Sequence, residues 1–195
     1  MKITRSGRIA AIVATTAVAA FALTGCASGN TPASLSGDIA GAGSSAQGSA
    51  QESWIAAFQT ANEKVNITYD PSGSGAGREQ FIAGGVSFAG SDSYLSDEEL
   101  AGTFAACAPN TLPFEVPNYI SPIAVIYNVE GVTSLNLDAA TMAKIFAGKI
   151  TKWNDPAISA INAGTSLPDL AITAVHRSDK SGTTKNFTDY LNKVD

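Results

Sequence analysis

Histidine and cysteine are nearly absent from this chain. His176 is the single histidine, and Cys26 and Cys107 are the two cysteines in 195 residues. So few soft donors leave no plausible metal-binding set, and no cofactor is expected. Basic residues are also scarce, 12 against 17 acids, which argues against nucleic acid as a partner. The long apolar run, Ile9 to Leu23, falls short of the roughly 20 residues that a comfortable membrane span requires. The Gly/Ser loops match neither the G-x-S-x-G of a nucleophile elbow nor the G-x-x-x-x-G-K-[ST] of a nucleotide P-loop. No internal repeat is visible.

What is present begins with an export address. Lys2, Arg5 and Arg8 precede an uncharged apolar run from Ile9 to Leu23, the pattern of a cleaved signal over residues 1–25. The run ends in Leu23-Thr24-Gly25-Cys26, which resembles the lipobox of bacterial lipoproteins. That resemblance implies a lipid such as palmitate on Cys26 and anchoring at the outer face of the cell membrane. A plain secretory signal that happens to contain a cysteine is the alternative. Residues 26–37 read as a flexible tether, so folded structure is expected from about residue 38. Without the first 25 residues, nine bases face 17 acids, a net charge of −8. Such a protein cannot draw anions by net charge and needs local dipoles in a closed site. Cys107 is left as a buried thiol or as half of a pair completed elsewhere.

Three distant segments have the composition of a backbone cradle for an oxyanion. They are Gly41-Ala42-Gly43-Ser44-Ser45-Ala46, Ser72-Gly73-Ser74-Gly75-Ala76-Gly77 and Arg177-Ser178-Asp179-Lys180-Ser181-Gly182-Thr183. Each precedes a helical pattern, and a helix start offers unpaired N–H groups and a positive dipole end. Anion capture is therefore the expected activity, and catalysis is not.

The periodicity predicts an alternation of strands and helices. Helices are expected over Ser49 to Ala61, with Trp54, Ala57, Phe58 and Ala61 on a buried face, and over Gly75 to Ala83. Further helices are expected from Asp97 behind a Ser96 cap, over Asp138 to Phe146 and over Thr184 to Leu191. Val65 to Tyr69 and Val86 to Ala89 read as strands, as do Phe114 to Val116, Ile123 to Val129 and Ala171 to Val175. This is an α/β pattern, whose ligand sites lie beyond the carboxyl ends of the strands.

At these loops the chain resembles the phosphate-binding lipoproteins of bacterial ABC-type phosphate transporters. The likeness rests on the three loops, on Phe88-Ala89-Gly90-Ser91-Asp92, and on Ile145-Phe146-Ala147-Gly148-Lys149-Ile150-Thr151-Lys152-Trp153-Asn154-Asp155-Pro156. It implies a two-lobed, hinged periplasmic-binding-protein-like fold of type II that closes on one phosphate. A first lobe is expected over residues 38–113 and the start of a second over 114–195, with the C-terminal half of the family fold missing. It further implies a monomer that delivers inorganic phosphate to the membrane subunits of an ABC permease. By motif, Ser45 and the Ala46 amide donate from the first loop and Ser74 from the second. Asp92 accepts the phosphate proton, Arg177 pairs with the ion, and Ser181, Gly182 and Thr183 donate from the last helix start. Ser45 and Ala46 stand where the family often has Thr and a larger residue.

Each of these residues also has a plainer reading. Asp92 could cap the next turn, Ser44 and Ser74 are ordinary cap and turn residues, and Arg177 with Asp179 could be a surface ion pair. Ser44 is weighed evenly between cap and phosphate ligand. His176 beside Arg177 is a poor general base, and Trp54 and Trp153 sit in core-like patterns. The competing functions are a secreted phosphatase or esterase using a loop serine, a receptor for another oxyanion such as sulfate or molybdate, and a truncated lipoprotein without a ligand.

Overall fold

The computed structural model describes residues 35–194. The export signal and Cys26 lie outside the described residues. Three parallel strands form the one sheet named among them, in the order β2-β1-β3. β1 is Gly37–Gly43, β2 is Val65–Asp70 and β3 is Phe88–Gly90. β1 is the central strand, paired with β2 from Gly37↔Val65 to Ala42↔Asp70 and with β3 from Gly41↔Phe88 to Gly43↔Gly90. Helix α1 (Gly48–Ala61) carries the chain from β1 to β2, and α2 (Ser74–Ile82) carries it from β2 to β3. Parallel pairing requires such crossovers, and it brings the carboxyl ends of all three strands to one edge. The first loop, the second loop and Ser91-Asp92 emerge there together.

Local sequence sets the helix starts. Ser96 and Glu99 form a reciprocal capping box on α3 (Asp97–Leu100). Asp138 caps α4 (Ala139–Phe146), and Asp155 caps α5 (Pro156–Ala160), whose Pro156 occupies the first turn. Ser181 caps α6 (Gly182–Leu191). All the expected helices are present, with bounds moved by one or two residues.

Ile145, Ile150 and Ile158 form a buried cluster around α4 and α5, against Leu135, Leu137, Leu167 and Ile172. Phe146 meets Phe187 of α6 edge to face, with ring centroids 4.9 Å apart. Near the sheet, Ala42, Val65, Val86 and Phe104 are buried, and Phe81 packs on Phe104.

Two expectations fail. The apolar face of α1 is not buried: Trp54 and Phe58 are each 42% exposed. Trp54 instead meets Tyr119 edge to face. Nor do the apolar segments 114–116, 123–129 and 171–175 form strands; the last contributes only an isolated bridge, Lys152↔Ala171. Phe114, Ile120 and Ile126 are about nine-tenths exposed. A buried strand needs ladder partners on its edges, and among the described residues none pairs with these segments beyond that one bridge. Val86-Ser87 also falls outside β3, and the central strand β1 is not among the expected strands: it begins at Gly37, inside the expected tether, and takes in Gly41 to Gly43 of the first loop.

Ile158 has no exposed surface. Ile158→Ala is expected to lower the unfolding free energy by about 2–5 kcal/mol, because the cavity left behind adds to the lost transfer energy. Urea denaturation of the parent chain and the variant measures it.

Candidate functional site

The three Gly/Ser loops converge on one another. Gly73 N–H donates to the Gly43 carbonyl at 2.7 Å, joining the second loop to the first. Gly75 N–H donates to the Lys180 carbonyl at 2.8 Å, joining the second to the third. Arg177 Nη1 donates to Ser45 Oγ at 3.0 Å, joining the third to the first. Two glycines make this approach possible. Gly73 has φ +102°, and a Cβ there would lie 2.6 Å from an Asp179 carboxylate oxygen. A Cβ on Gly182 would lie 2.5 Å from Ser74 Oγ and 3.1 Å from Asp92 Cβ.

Asp92 is the point on which the loops meet. Its Oδ1 accepts from Ser44 Oγ at 2.6 Å. Its Oδ2 accepts from Thr183 Oγ1 at 3.0 Å and, more weakly, from Ser74 Oγ at 3.5 Å. Its amide donates to Ser74 Oγ at 3.2 Å, and its carbonyl accepts from Asn186 Nδ2. One carboxylate thus gathers hydroxyls from three separate segments. Ser44 also accepts from the Ala46 amide at 3.1 Å, so it is at once a cap and a partner of Asp92. Ser181 caps α6 through the Thr184 amide, which leaves Gly182 and Thr183 in a first turn whose amides have no intrahelical carbonyl. All nine residues singled out in the three loops and at Asp92 therefore lie in one place. Among the described residues, every buried side-chain nitrogen and oxygen has a hydrogen-bond partner.

A cavity of about 240 Å³ opens beside Asp92, lined by Ala46, Tyr119, Thr183 and Asn186 among others. Burial, and then the Asp92 charge, push the Tyr69 phenol up to about 12. Tyr69 donates to the Ser44 carbonyl at 2.9 Å and so braces the first loop. Arg177 grips Asp179 with Nε and Nη2, both at 2.6 Å. That bidentate pairing raises the guanidinium and holds the Asp179 carboxyl below its ordinary value. Both side chains are well exposed, so the pair orients Arg177 more than it stabilises the fold. His176 is exposed, with Nδ1 2.9 Å from the Arg177 carbonyl oxygen. Cys107 is a free thiol of intermediate exposure.

Sequence reasoning missed four participants. Asn186 stands three residues after Thr183 and Arg78 four after Ser74, spacings that share a helix face. Tyr69 and Tyr119 reach the first loop from β2 and from the 114–129 segment; Tyr119 donates to the Ala46 carbonyl at 3.1 Å. Arg78 donates to Ser91 Oγ, Ser93 Oγ and Glu99 Oε1.

A family model described as the PBP superfamily domain matches residues 28–195. The chain belongs to the PBP superfamily. This PBP-superfamily chain is 40% identical over 204 residues to phosphate-binding protein PstS2 of Mycobacterium bovis, covering 98% of itself and 54% of that protein. It is 42% identical over 170 residues to phosphate-binding protein PstS 3 of Mycobacterium leprae, covering 87% and 46%. The chain spans about half the length of the curated relatives it matches. Among solved structures it resembles a Clostridium perfringens protein, assigned as a phosphate ABC transporter substrate-binding protein and crystallised with phosphate. The TM-score is 0.57 at 22% identity, over 80% of this chain and 56% of that one, a likeness of fold.

Glu99 offers a test of the support beneath the site. Burial alone would raise its carboxyl, but the bonds from the Ser96 amide and from Arg78 outweigh burial and hold it below its ordinary value of 4.5. Because the folded value lies below the unfolded one, this contribution is complete above the ordinary glutamate range. It is lost as pH falls through the lower folded value. Glu99→Gln is expected to flatten that acid limb of the stability–pH curve, measured by thermal unfolding between neutral pH and about pH 3.

Proposed function

We propose that this chain captures inorganic phosphate outside the membrane and hands it to the membrane subunits of an ABC-type permease. The observation that carries the reading is the Asp92 carboxylate, which holds the hydroxyls of Ser44, Ser74 and Thr183 at the meeting point of three glycine-rich helix starts. A carboxylate within an anion site repels its ligand unless a proton lies between them. Phosphate keeps at least one proton at neutral pH and sulfate keeps none, so the arrangement selects the protonated ion. On binding, the three hydroxyls turn from Asp92 to the phosphate oxygens while Asp92 accepts the phosphate O–H. The exchange keeps the number of hydrogen bonds nearly constant. Ser45, the Ala46 amide, Arg177, Ser181, Gly182 and Thr183 supply the remaining donors, with Arg177 held in a forked orientation by Asp179.

The relatives named as phosphate-binding proteins support this ligand, and the curated name of each describes binding. The site holds donors and an acceptor, and among the described residues none of its serines pairs with histidine: His176 Nδ1 faces the Arg177 carbonyl oxygen. We assign the protein to binding and not to turnover. We further propose that it works as an exported monomer, tethered through lipidated Cys26. Its lobe of residues 38–113 and a second lobe beginning at 114 would close on the ion.

Calorimetric titration of the full chain with phosphate and with sulfate tests the assignment. Phosphate is expected to bind and sulfate to be rejected by tenfold to hundredfold, about 1–3 kcal/mol for an acceptor left facing an unprotonated ion. Asp92→Asn is expected to shrink that preference by about tenfold or more. Equal affinities for the two anions in the parent chain would sink the reading.

A further inference from the structure

Arg78 lies one helical turn beyond Ser74 on α2, so the two side chains share a face. Ser74 touches Asp92 itself, and Arg78 touches the residues on either side of it. Arg78 Nη1 donates to Ser91 Oγ at 3.1 Å and to Ser93 Oγ at 2.9 Å. Its Nε is anchored on Glu99 Oε1 at 2.9 Å, and the arginine side chain is only 13% exposed. Glu99 is fixed in turn, because its other carboxylate oxygen accepts from the Ser96 amide in the capping box of α3. A continuous path of hydrogen bonds thus runs from a helix cap to the turn that presents Asp92.

That turn has no ladder of its own beyond Gly90, where β3 ends. It is held by side chains: Gln47 Nε2 on the Ser91 carbonyl, Ser74 on the Asp92 amide, Asn186 on the Asp92 carbonyl, Arg78 on both flanking serines, and the Ser91 hydroxyl, which donates to the Ser93 carbonyl and accepts from the Ser93 amide. Of the residues outside the turn, Arg78 alone grips both sides of Asp92.

We propose that Arg78 is a positioning residue that sets the preference of the site for a protonated oxyanion by clamping Ser91 and Ser93. The proposal rests on the phosphate reading above. Phosphate needs an Asp92 oxygen within hydrogen-bond reach of its O–H, and a displacement of about 1 Å forfeits that bond. Sulfate makes no such bond, and it gains when the carboxylate moves away. Releasing the clamp therefore changes the ratio of the two affinities. Loss of the Arg78 charge by itself would weaken both anions together and leave the ratio alone, and so would a loss of folded fraction.

The test is calorimetric titration of the full chain with inorganic phosphate and with sulfate, for the parent protein, for Arg78→Met and for the double variant Ser91→Ala/Ser93→Ala. The double variant removes the clamp's acceptors, and with Ser91 the bonds of that hydroxyl to Ser93, yet keeps the Arg78–Glu99 pair, so it guards against a fold lost with the arginine. Arg78→Met keeps the Ser91–Ser93 bonds, so a fall in both variants assigns the effect to the clamp, and a folded Arg78→Met with the parent ratio overturns the proposal. Far-UV circular dichroism checks each sample. The phosphate-over-sulfate ratio is expected to fall at least about tenfold in the double variant, and likewise in Arg78→Met where it folds. A folded double variant with the parent ratio, or with both anions weakened equally, overturns the proposal and leaves the phosphate reading standing. A parent chain that binds no phosphate overturns the phosphate reading and this proposal with it.

Discussion

The site depends on one electrostatic constraint, the need to satisfy the half-buried Asp92 carboxylate in a region that also concentrates helix N-termini. Ser44, Ser74 and Thr183 come from three segments separated by as many as 139 positions of chain, and each aims a hydroxyl at the same two oxygens. Leaving a half-buried carboxylate unpaired would be costly, so these hydrogen bonds tie the loops together beside the backbone bonds between them. The glycines follow from the same demand. A Cβ at Gly182 would strike Ser74, and one at Gly73 would strike Asp179, so the loops can close around the carboxylate only where side chains are absent.

This arrangement reconciles an acidic protein with an anionic ligand. Net charge opposes capture, and the attraction must come from amides and dipoles at short range. The parallel sheet supplies them by geometry: strands running the same way deliver their carboxyl ends, and the helix starts that follow, to one edge. Arg177 adds the formal positive charge beside the first loop, and its pairing with Asp179 moderates that charge while fixing the direction of the fork.

The exposed apolar surfaces have a related cause. Phe114, Ile120 and Ile126 lie on a segment with strand composition and no strand partner among the described residues, and the apolar face of α1 stays exposed at Trp54 and Phe58. Apolar pattern expresses a demand for burial and does not supply the neighbour that meets it.

Much of the site was legible in the chain. Glycine and serine before a helical pattern, an acid after a short strand and an arginine before a capping serine each mark a local role, because turn and cap chemistry is decided within a few residues. The helix starts at Ser96, Asp138 and Ser181 were readable for that reason. Arg78, Asn186, Tyr69 and Tyr119 were not, since each acts on a partner from 13 to 94 positions away, and ordinary residues carry no mark of distant contacts. The sequence by itself determined the α/β alternation, the helix caps and the oxyanion-cradle composition of the loops, all local properties of dihedral preference and hydrogen-bonding side chains. Only the tertiary structure decided that Asp92 holds three hydroxyls, that Arg78 braces its turn, and that the apolar segments beyond residue 113 form no ladder among the described residues, because long-range pairing depends on which backbone edges meet in space.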